Sequence, residues 1–481
     1  MTDIKDDEIT GDRIPDLIKI GAIPAQYGQS LRSDIIDATT INQNRVRFTL
    51  QRVGGFLHSN SKITLAVTPN TSTTAYYPLH IGVHNLVQKT ELFIGNQSIC
   101  SIDDYSFFAQ YQSQFITNET NKEREQFLSQ RCINNAPVYD EGTDPRTPNQ
   151  ASKIGLDVGR NPVVDEAQAA TGGAFSLLPF MLHDSTSAQT IANAPVYSVY
   201  LSDLLPMLKY NQLPCQLIDQ EIHIDITFTE QVSALTGASL SRRMCVANSD
   251  AGNNAVAYDI NTDEVKLIYD SISYEPEIMK KYAEQNQELS FQYVDYRLAK
   301  RTGPQTAFSN LTFPVGGNGR LVSKVMFALQ RNENFTPVSL LNGVTAKDNA
   351  VAQNLAINLL YNDLYEFNTD RNNQALLFHT TQHSEGMVPM VSKDQWQTSG
   401  VSSITDSTFE GHAQNSGAAG VGGLFKWISI KPNKGQRVNN KGVDLIYKNA
   451  GLPADTYTLR VYLEMLKVMT IKDGKVNCYF A

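Results

Sequence analysis

Apolar and polar residues alternate with a period of two along much of this chain. In Arg45–Leu50 the apolar positions are Val46, Phe48 and Leu50, and Ile63, Leu65 and Val67 repeat the pattern. Ile222, Ile224, Ile226 and Phe228 do so again, with Glu221, His223, Asp225 and Thr227 between them. Near the end, Tyr457, Leu459, Val461 and Leu463 alternate with Thr458, Arg460 and Tyr462. Successive side chains of a strand point to opposite faces, so each stretch predicts a strand with one buried and one wet face. Many such strands, separated by turns rich in Gly, Asn and Pro, predict an all-β chain built of sandwiches.

Helical patterns are few and short. Asp103–Gln114 is one, with Asp104 near its start. Ser202–Lys209 is another, with Ser202 as N-cap. The best is Glu275–Gln287, where Pro276 suits the first turn and Ile278, Met279 and Tyr282 form a stripe. Periodicity is lost over Thr117–Thr171, Asn332–Gln353 and Ser384–Gly422, which predicts long loops of the kind that serve function or partners. The strand pattern Val265–Tyr274 stops before the Glu275–Gln287 helix, and a fresh one opens at Leu289–Leu298. The flanking blocks show the same order of strands, Gly/Asn-rich turns, a short helix, a long loop and closing strands. The expected organisation is an arm over residues 1–20, a first sandwich over 21–275, a linker helix over 276–287 and a second sandwich over 288–481.

Composition narrows the function classes. A chain of 481 residues buries sizeable cores without disulfide or metal staples. Asn and Gln make up roughly one residue in seven, and the low share of Ala, Glu, Lys and Leu argues against helical repeats. A net charge of −9 argues against a broad nucleic-acid-coating surface. There is no apolar run of membrane-spanning length. The acidic start Met1–Thr10 lacks the apolar region of a secretory signal. Cys100, Cys132, Cys215, Cys245 and Cys478 are odd in number and scattered, which predicts reduced thiols in a protein made in the cytosol.

Motifs for chemistry are weak. His379 and His383 stand at i, i+4, but Thr380 occupies the place of a zinc protease's Glu, and a polar turn beside a strand is the expectation. The glycine-rich Val315–Arg320 lacks the Lys-Ser/Thr of a phosphate loop and reads as a hairpin turn. Lys431, Lys434, Arg437 and Lys441 read as a solvated basic turn. Sequons at Asn70, Asn96, Asn118, Asn310 and Asn334 fit chance in so Asn-rich a chain. No catalytic, cofactor-binding or metal residue is singled out, and no enzyme is expected.

Several segments, in order, resemble the double jelly-roll major capsid proteins of double-stranded DNA viruses, a group that includes virophages, polinton-like viruses and nucleocytoplasmic large DNA viruses. Ile81–Val87 followed by Glu91–Gln97 resembles a strand pair of that family, and Tyr105–Tyr111 its short helix. Phe175–Leu182 and Leu213–Ile218, leading into Glu221–Phe228, are similar to segments that close the first roll. Leu267–Tyr269 and Glu275–Ala283 resemble its last strand and the linker, and Leu289–Tyr293 the opening of the second roll. Leu355–Leu359, Phe378–His383, and Leu466–Ile471 with Asp473–Val476 resemble interior and terminal segments of that roll. Cys215 stands where the family signature has Leu, and Phe107 and Phe108 stand where the short helix has Trp; these departures point to the virophage or polinton-like side.

The resemblance implies a capsid shell component in the virion, synthesised in the host cytosol. It implies homotrimers that act as pseudo-hexagonal capsomers. Expected partners are neighbouring capsomers, penton and minor capsid proteins, and an internal membrane or its proteins, with no sequence-specific nucleic-acid binding and no cofactor. The first twenty residues carry Ile9, Ile14, Leu17, Ile18 and Ile20 among Asp6, Asp7, Glu8 and Asp12, and read either as a docking arm or as a frayed terminus. Two other classes compete. A carbohydrate-binding β-sandwich of lectin or fibre type would need an exposed aromatic platform, and Trp396 and Trp427 are the only tryptophans. A glycan-active enzyme would need a carboxylate pair in a cleft.

Overall fold

The structure is a computed structural model of the chain. It describes residues 29–50, 55–69, 75–76, 82–113, 124–125, 128–129, 181–183, 196–229, 246–247, 258–331, 355–368, 374–385, 427–432, 438, 442–449 and 456–481. All described strand pairs are antiparallel, and strands up to Tyr274 pair only among themselves, as do those from Glu288 onward.

In the first roll, one sheet runs β1 (Gln29–Asp37), β15 (Lys266–Tyr274), β5 (Lys62–Leu65), β11 (Tyr197–Tyr200), with β4 (Phe56–Leu57) also on β15. The other runs β2 (Thr40–Ile41), β3 (Arg45–Leu50), β12 (Ile222–Phe228), β8 (Val87–Ile94), β9 (Gln97–Asp103). Two small sheets accompany them, β10 (Met181–His183) with β7 (Ala75–Tyr76) and β13 (Val246–Ala247), and β14 (Tyr258–Ile260) with β6 (Val67–Pro69). Apart from the local pairs β2–β3 and β8–β9, most neighbours are distant in sequence, as in β1 with β15 and β3 with β12, the mark of jelly-roll connections. Register does the packing: Ile222, Ile224 and Ile226 stand opposite Leu50, Phe48 and Val46, so both apolar sets face one core. All four expected apolar positions of β12 are buried.

In the second roll, one sheet runs β16 (Glu288–Pro304), β23 (Thr456–Lys472), β18 (Val322–Arg331), β21 (Ile428–Ile430), and β24 (Lys475–Phe480) pairs with the far end of β23. The other runs β17 (Leu311–Gly316), β22 (Val443–Asn449), β19 (Leu355–Tyr361), β20 (Leu364–Asn368). The β23–β24 turn places Asp473 and Gly474 at φ 50° and 73°, the left-handed pair of a tight hairpin. Helix α1 is Tyr105–Ser113, α2 Leu201–Leu204, α3 Met207–Tyr210, α4 Pro276–Gln285 and α5 Gln374–Glu385. In α4, Pro276 opens the helix, and Met279 and Tyr282 are buried against Phe56.

Five expectations need correction. Ser202–Lys209 is two short helices, because Pro206 has no N–H to continue the ladder, and the first N-cap is Tyr200, not Ser202. Gly82–Leu86 is a 3-10 turn, and the strand begins only at Val87. His379 and His383 lie on α5 rather than in a turn, because Leu377, Phe378, Thr381 and Ser384 bury one side of a helix and leave both histidines exposed. Val315–Arg320 is not a hairpin: β17 pairs with β22 and β18 with β23, so the chain changes sheets there. Gly316, Gly317 and Gly319 all have positive φ, and a Cβ on Gly317 would come within 3.0 Å of Val322. Finally, β23 is not wet on one face, since Thr458, Arg460 and Tyr462 are as buried as Tyr457, Leu459, Val461 and Leu463. The stretches expected as long loops, 117–171, 332–353 and 386–422 of the third, lie outside the described residues apart from 124–125 and 128–129, which are helical and not loop.

On β12, Asp225 is buried and receives two hydrogen bonds from Arg47, both 2.7 Å, and one from Arg45. Burial works to raise its carboxyl, but hydrogen bonds and charge from Arg47 and Arg45 outweigh that and hold it below the ordinary value. A group depressed on folding stabilises fully above its unfolded pKa, about 3.9 for Asp, and loses that contribution as pH falls through the folded value. Replacing Asp225 with Asn therefore lowers stability at neutral pH and flattens the fall in stability below about pH 4, read as urea midpoints across pH; parallel curves for the two proteins would refute this. Ile224→Asp places an unpaired charge in the core and abolishes soluble folded protein, checked by soluble yield and circular dichroism.

Candidate functional site at the seam between the two rolls

The two rolls share buried surface. One continuous apolar cluster contains first-roll residues such as Phe48, Ile224 and Ile99 together with Leu289, Phe291, Tyr293, Met326, Ala328, Trp427, Tyr462, Met469 and Ile471 of the second. The second roll keeps a further core of its own around Phe327, Leu359, Leu445 and Leu459. Sheet β16–β23–β18 therefore stands between two hydrophobic cores, and this is why β23 is buried on both faces.

Several buried polar groups at the seam are paired. The Tyr293 hydroxyl donates to the Ile99 carbonyl (2.8 Å), and the Ser101 N–H donates to Asp295 (3.0 Å). Lys467 bridges the same region, 2.5 Å from Asp295 and donating to the Ile99 carbonyl at 3.0 Å. Asp295 thus compensates Lys467 while β9 supplies it an N–H.

Beside this, α1 lies against β23 on the face that meets the first roll. Arg460 donates to Asp104 at 3.2 Å and stacks 3.7 Å from the centre of the Phe107 ring. The Tyr462 hydroxyl donates to the carbonyls of Asp103 and Asp104, both 3.0 Å. Phe108 meets the rings of Tyr296 and Tyr462, and Tyr111 meets Trp427. Phe107 and Phe108, noted in the sequence as replacements for Trp, are seam residues.

A third contact joins α1, α5 and β23. The Tyr111 hydroxyl donates to Glu385, which also accepts from Lys324 (2.9 Å) and from Ser429 (2.9 Å). Lys324 lies 3.7 Å from Glu464, whose carboxylate accepts from Tyr296. Burial, then the Glu385 charge, pushes the Tyr111 hydroxyl well up, so it stays a donor at neutral pH. At the hairpin, Asp219 N–H donates to the Gly474 carbonyl (2.9 Å) and Val476 N–H to the Gln220 side chain (2.7 Å). A Cβ on Gly474 would lie 2.2 Å from an Asp219 oxygen and 2.8 Å from its Cβ, so only glycine fits this docking point.

Elsewhere, β1 exposes Leu31 (64%) and Ile35 (69%) on its outer face, opposite Ile272 and Ile268 of β15. Two aliphatic cross-strand pairs on a sheet's outer surface suit contact with another protein surface. The singled-out basic residue Lys431 is exposed, and Lys434, Arg437 and Lys441 lie outside the described residues. Trp427 is fully buried and offers no sugar platform, while Trp396 lies outside the described residues. Burial pushes the Cys100 thiol well up and that of Cys215 to about 11, so neither is a thiolate at neutral pH. His84, Glu125 and Asp203 come together in the first roll, a group with no local spacing to reveal it in the sequence.

Comparisons with known proteins agree with this architecture. Residues 30–165 match the family described as the major capsid protein N-terminus. No curated protein sequence matches the chain. A chain of the cryo-EM structure of the Sputnik virophage superposes with TM-score 0.54 at 10% identity, covering 98% of this chain and 92% of that one. The crystal structure of PBCV-1 VP54, as fitted into a reconstruction of Sputnik, gives TM-score 0.50 at 12% identity, covering 96% and 99%. The fold is the double jelly roll. The family match falls within the first roll, and the two solved structures share the fold of the whole chain.

Replacing Lys467 with Met leaves Asp295 buried beside a single backbone donor. The expected loss is about 3–5 kcal/mol, the usual result of removing one partner of a buried ion pair, read as a lowered urea midpoint. Adding Asp295→Leu should recover part of that loss. An unchanged midpoint in Lys467→Met would show that the seam pair carries no stability.

Proposed function

We propose that this chain is the major capsid protein of an icosahedral double-stranded DNA virus, and that three copies form a pseudo-hexagonal capsomer. The observation that carries this reading is the fusion of two jelly rolls across a common core in a chain whose residues 30–165 match the capsid N-terminal family. Three copies of two similar domains supply six similar corners, which tile a hexagonal array. The seam makes the two rolls of one subunit a rigid unit, so the angle between corners is set inside the chain and not by its neighbours.

On this reading, residues 21–275 and 288–481 are the two rolls, joined by the 276–287 helix. The outer face of β1 and the long loops serve contacts between copies and with penton, minor capsid or membrane-associated proteins. The Asn, Gln and Ser richness of the loops fits that task, since amides donate and accept without a net charge to desolvate. The place of action is the virion shell, after synthesis in the host cytosol. The role is structural, not enzymatic. The acidic balance of the chain favours a genome covered by other proteins or a lipid layer.

Light scattering of the purified chain should give the mass of a trimer, and negative-stain images should show pseudo-hexagonal particles. Monomers at micromolar concentration would overturn the proposal and favour the carbohydrate-binding alternative. Leu31→Lys with Ile35→Lys should weaken the trimer while leaving the circular dichroism of the subunit unchanged.

A further inference from the structure

One group of ionisable side chains in the first roll takes no part in the seam. His84 lies in the 3-10 turn Gly82–Leu86 and is fully buried. Glu125 is also buried, and Asp203 sits on α2 with its side chain partly open to solvent. One ligand atom from each lies within 4.8 Å of the others.

The surroundings orient these groups. His84 Nδ1 is 2.8 Å from the Tyr105 hydroxyl, so Nε2 is the ring atom turned toward Glu125, 3.8 Å from its carboxylate. Ser129 donates to that same carboxylate oxygen at 3.1 Å and to the Glu125 carbonyl at 2.8 Å. Lys209 approaches Asp203 to 3.5 Å from the solvent side. Arg124 is directed away, over the Tyr200 ring at 4.8 Å.

We propose that His84, Glu125 and Asp203 hold one divalent transition-metal ion, with zinc the best chemical match. A neutral imidazole with two carboxylates is a donor set that zinc accepts at about 2.0–2.2 Å per ligand, with water in a fourth place. Calcium and magnesium favour all-oxygen sets. Tetrahedral ligands at those lengths stand about 3.3 Å apart. His84 and Glu125 need to close by roughly half an ångström to reach that spacing, and Asp203, at the open side, makes the larger movement. The Tyr105 hydroxyl fixes the imidazole through its other nitrogen, and Ser129 holds the Glu125 carboxylate, the outer contacts that metal ligands use. The ligands come from three segments distant in sequence. Glu125 lies in a helical piece well separated in sequence from both His84 and Asp203, so the ion ties that piece to the roll.

The test uses the full-length chain, stripped with a chelator and then titrated with zinc chloride in a calorimeter. The expected result is one ion per chain, a rise in thermal unfolding temperature on adding zinc, and a visible absorption band when cobalt(II) is used instead. Glu125→Gln and Asp203→Asn should each weaken binding at least tenfold and remove the thermal shift. Asp203 is partly exposed, so its variant stays folded, as circular dichroism will verify, and it decides the point alone if Glu125→Gln fails to fold. His379→Ala with His383→Ala, which removes the exposed pair on α5, should leave the affinity unchanged. Absence of stoichiometric binding, full affinity in Asp203→Asn, or loss of binding in the α5 double variant would overturn the proposal.

Discussion

The structure depends on one sheet being buried on both faces. β16, β23 and β18 close the second sandwich with Leu459, Val461, Leu463, Val325 and Phe327, and they meet the first roll through Tyr462, Met326, Ala328, Tyr293 and Met469. An antiparallel sheet ordinarily keeps one face in water. Here the second face gives up that water for the neighbouring roll, and its polar groups must then be satisfied within the protein. Arg460, Asp295, Lys467 and Lys324 are the outcome, each set against a carboxylate or a cation at close range. The apolar part of the seam supplies the drive, and the ion pairs and tyrosine hydroxyls select one docking geometry over near alternatives.

That arrangement explains the role of several local features. α1 is short and aromatic because it fills the space over β23, with Phe107 under Arg460 and Phe108 between Tyr296 and Tyr462. The Asp473–Gly474 turn lacks a side chain at its tip because Asp219 of the first roll occupies that position. α4 spans the two rolls and packs Met279 and Tyr282 on Phe56 of the first.

A resident ion at His84, Glu125 and Asp203 would act at a different level. It would not hold the sandwich, whose apolar core is continuous without it. It would join Glu125 to His84 and Asp203 across segments distant in sequence, the coupling of metal binding to local folding that such sites use.

Much of the fold was legible in the sequence because period-two patterning is local. Val46, Phe48 and Leu50, and Ile222 to Phe228, declare their buried face within a few residues, and each lies where the alternation placed it. The Pro276 helix and the opening of a fresh strand near Leu289 were legible for the same reason, and so were the ordered segments that resemble capsid proteins. Tertiary structure alone decided the rest. Arg460 and Tyr462 read as a wet face because alternation carries no information about a second partner sheet. The turn at Val315–Arg320 read as a hairpin because glycine spacing does not say which strands pair. His379 and His383 looked like a turn because Leu377 and Phe378 show their helical face only against the core. The seam pairs Asp295–Lys467 and Asp104–Arg460, and the meeting of His84, Glu125 and Asp203, join residues tens to hundreds of positions apart. Such contacts follow from strand register and roll docking, which minimise exposed apolar area over the whole molecule at once and leave no trace in any short window of sequence.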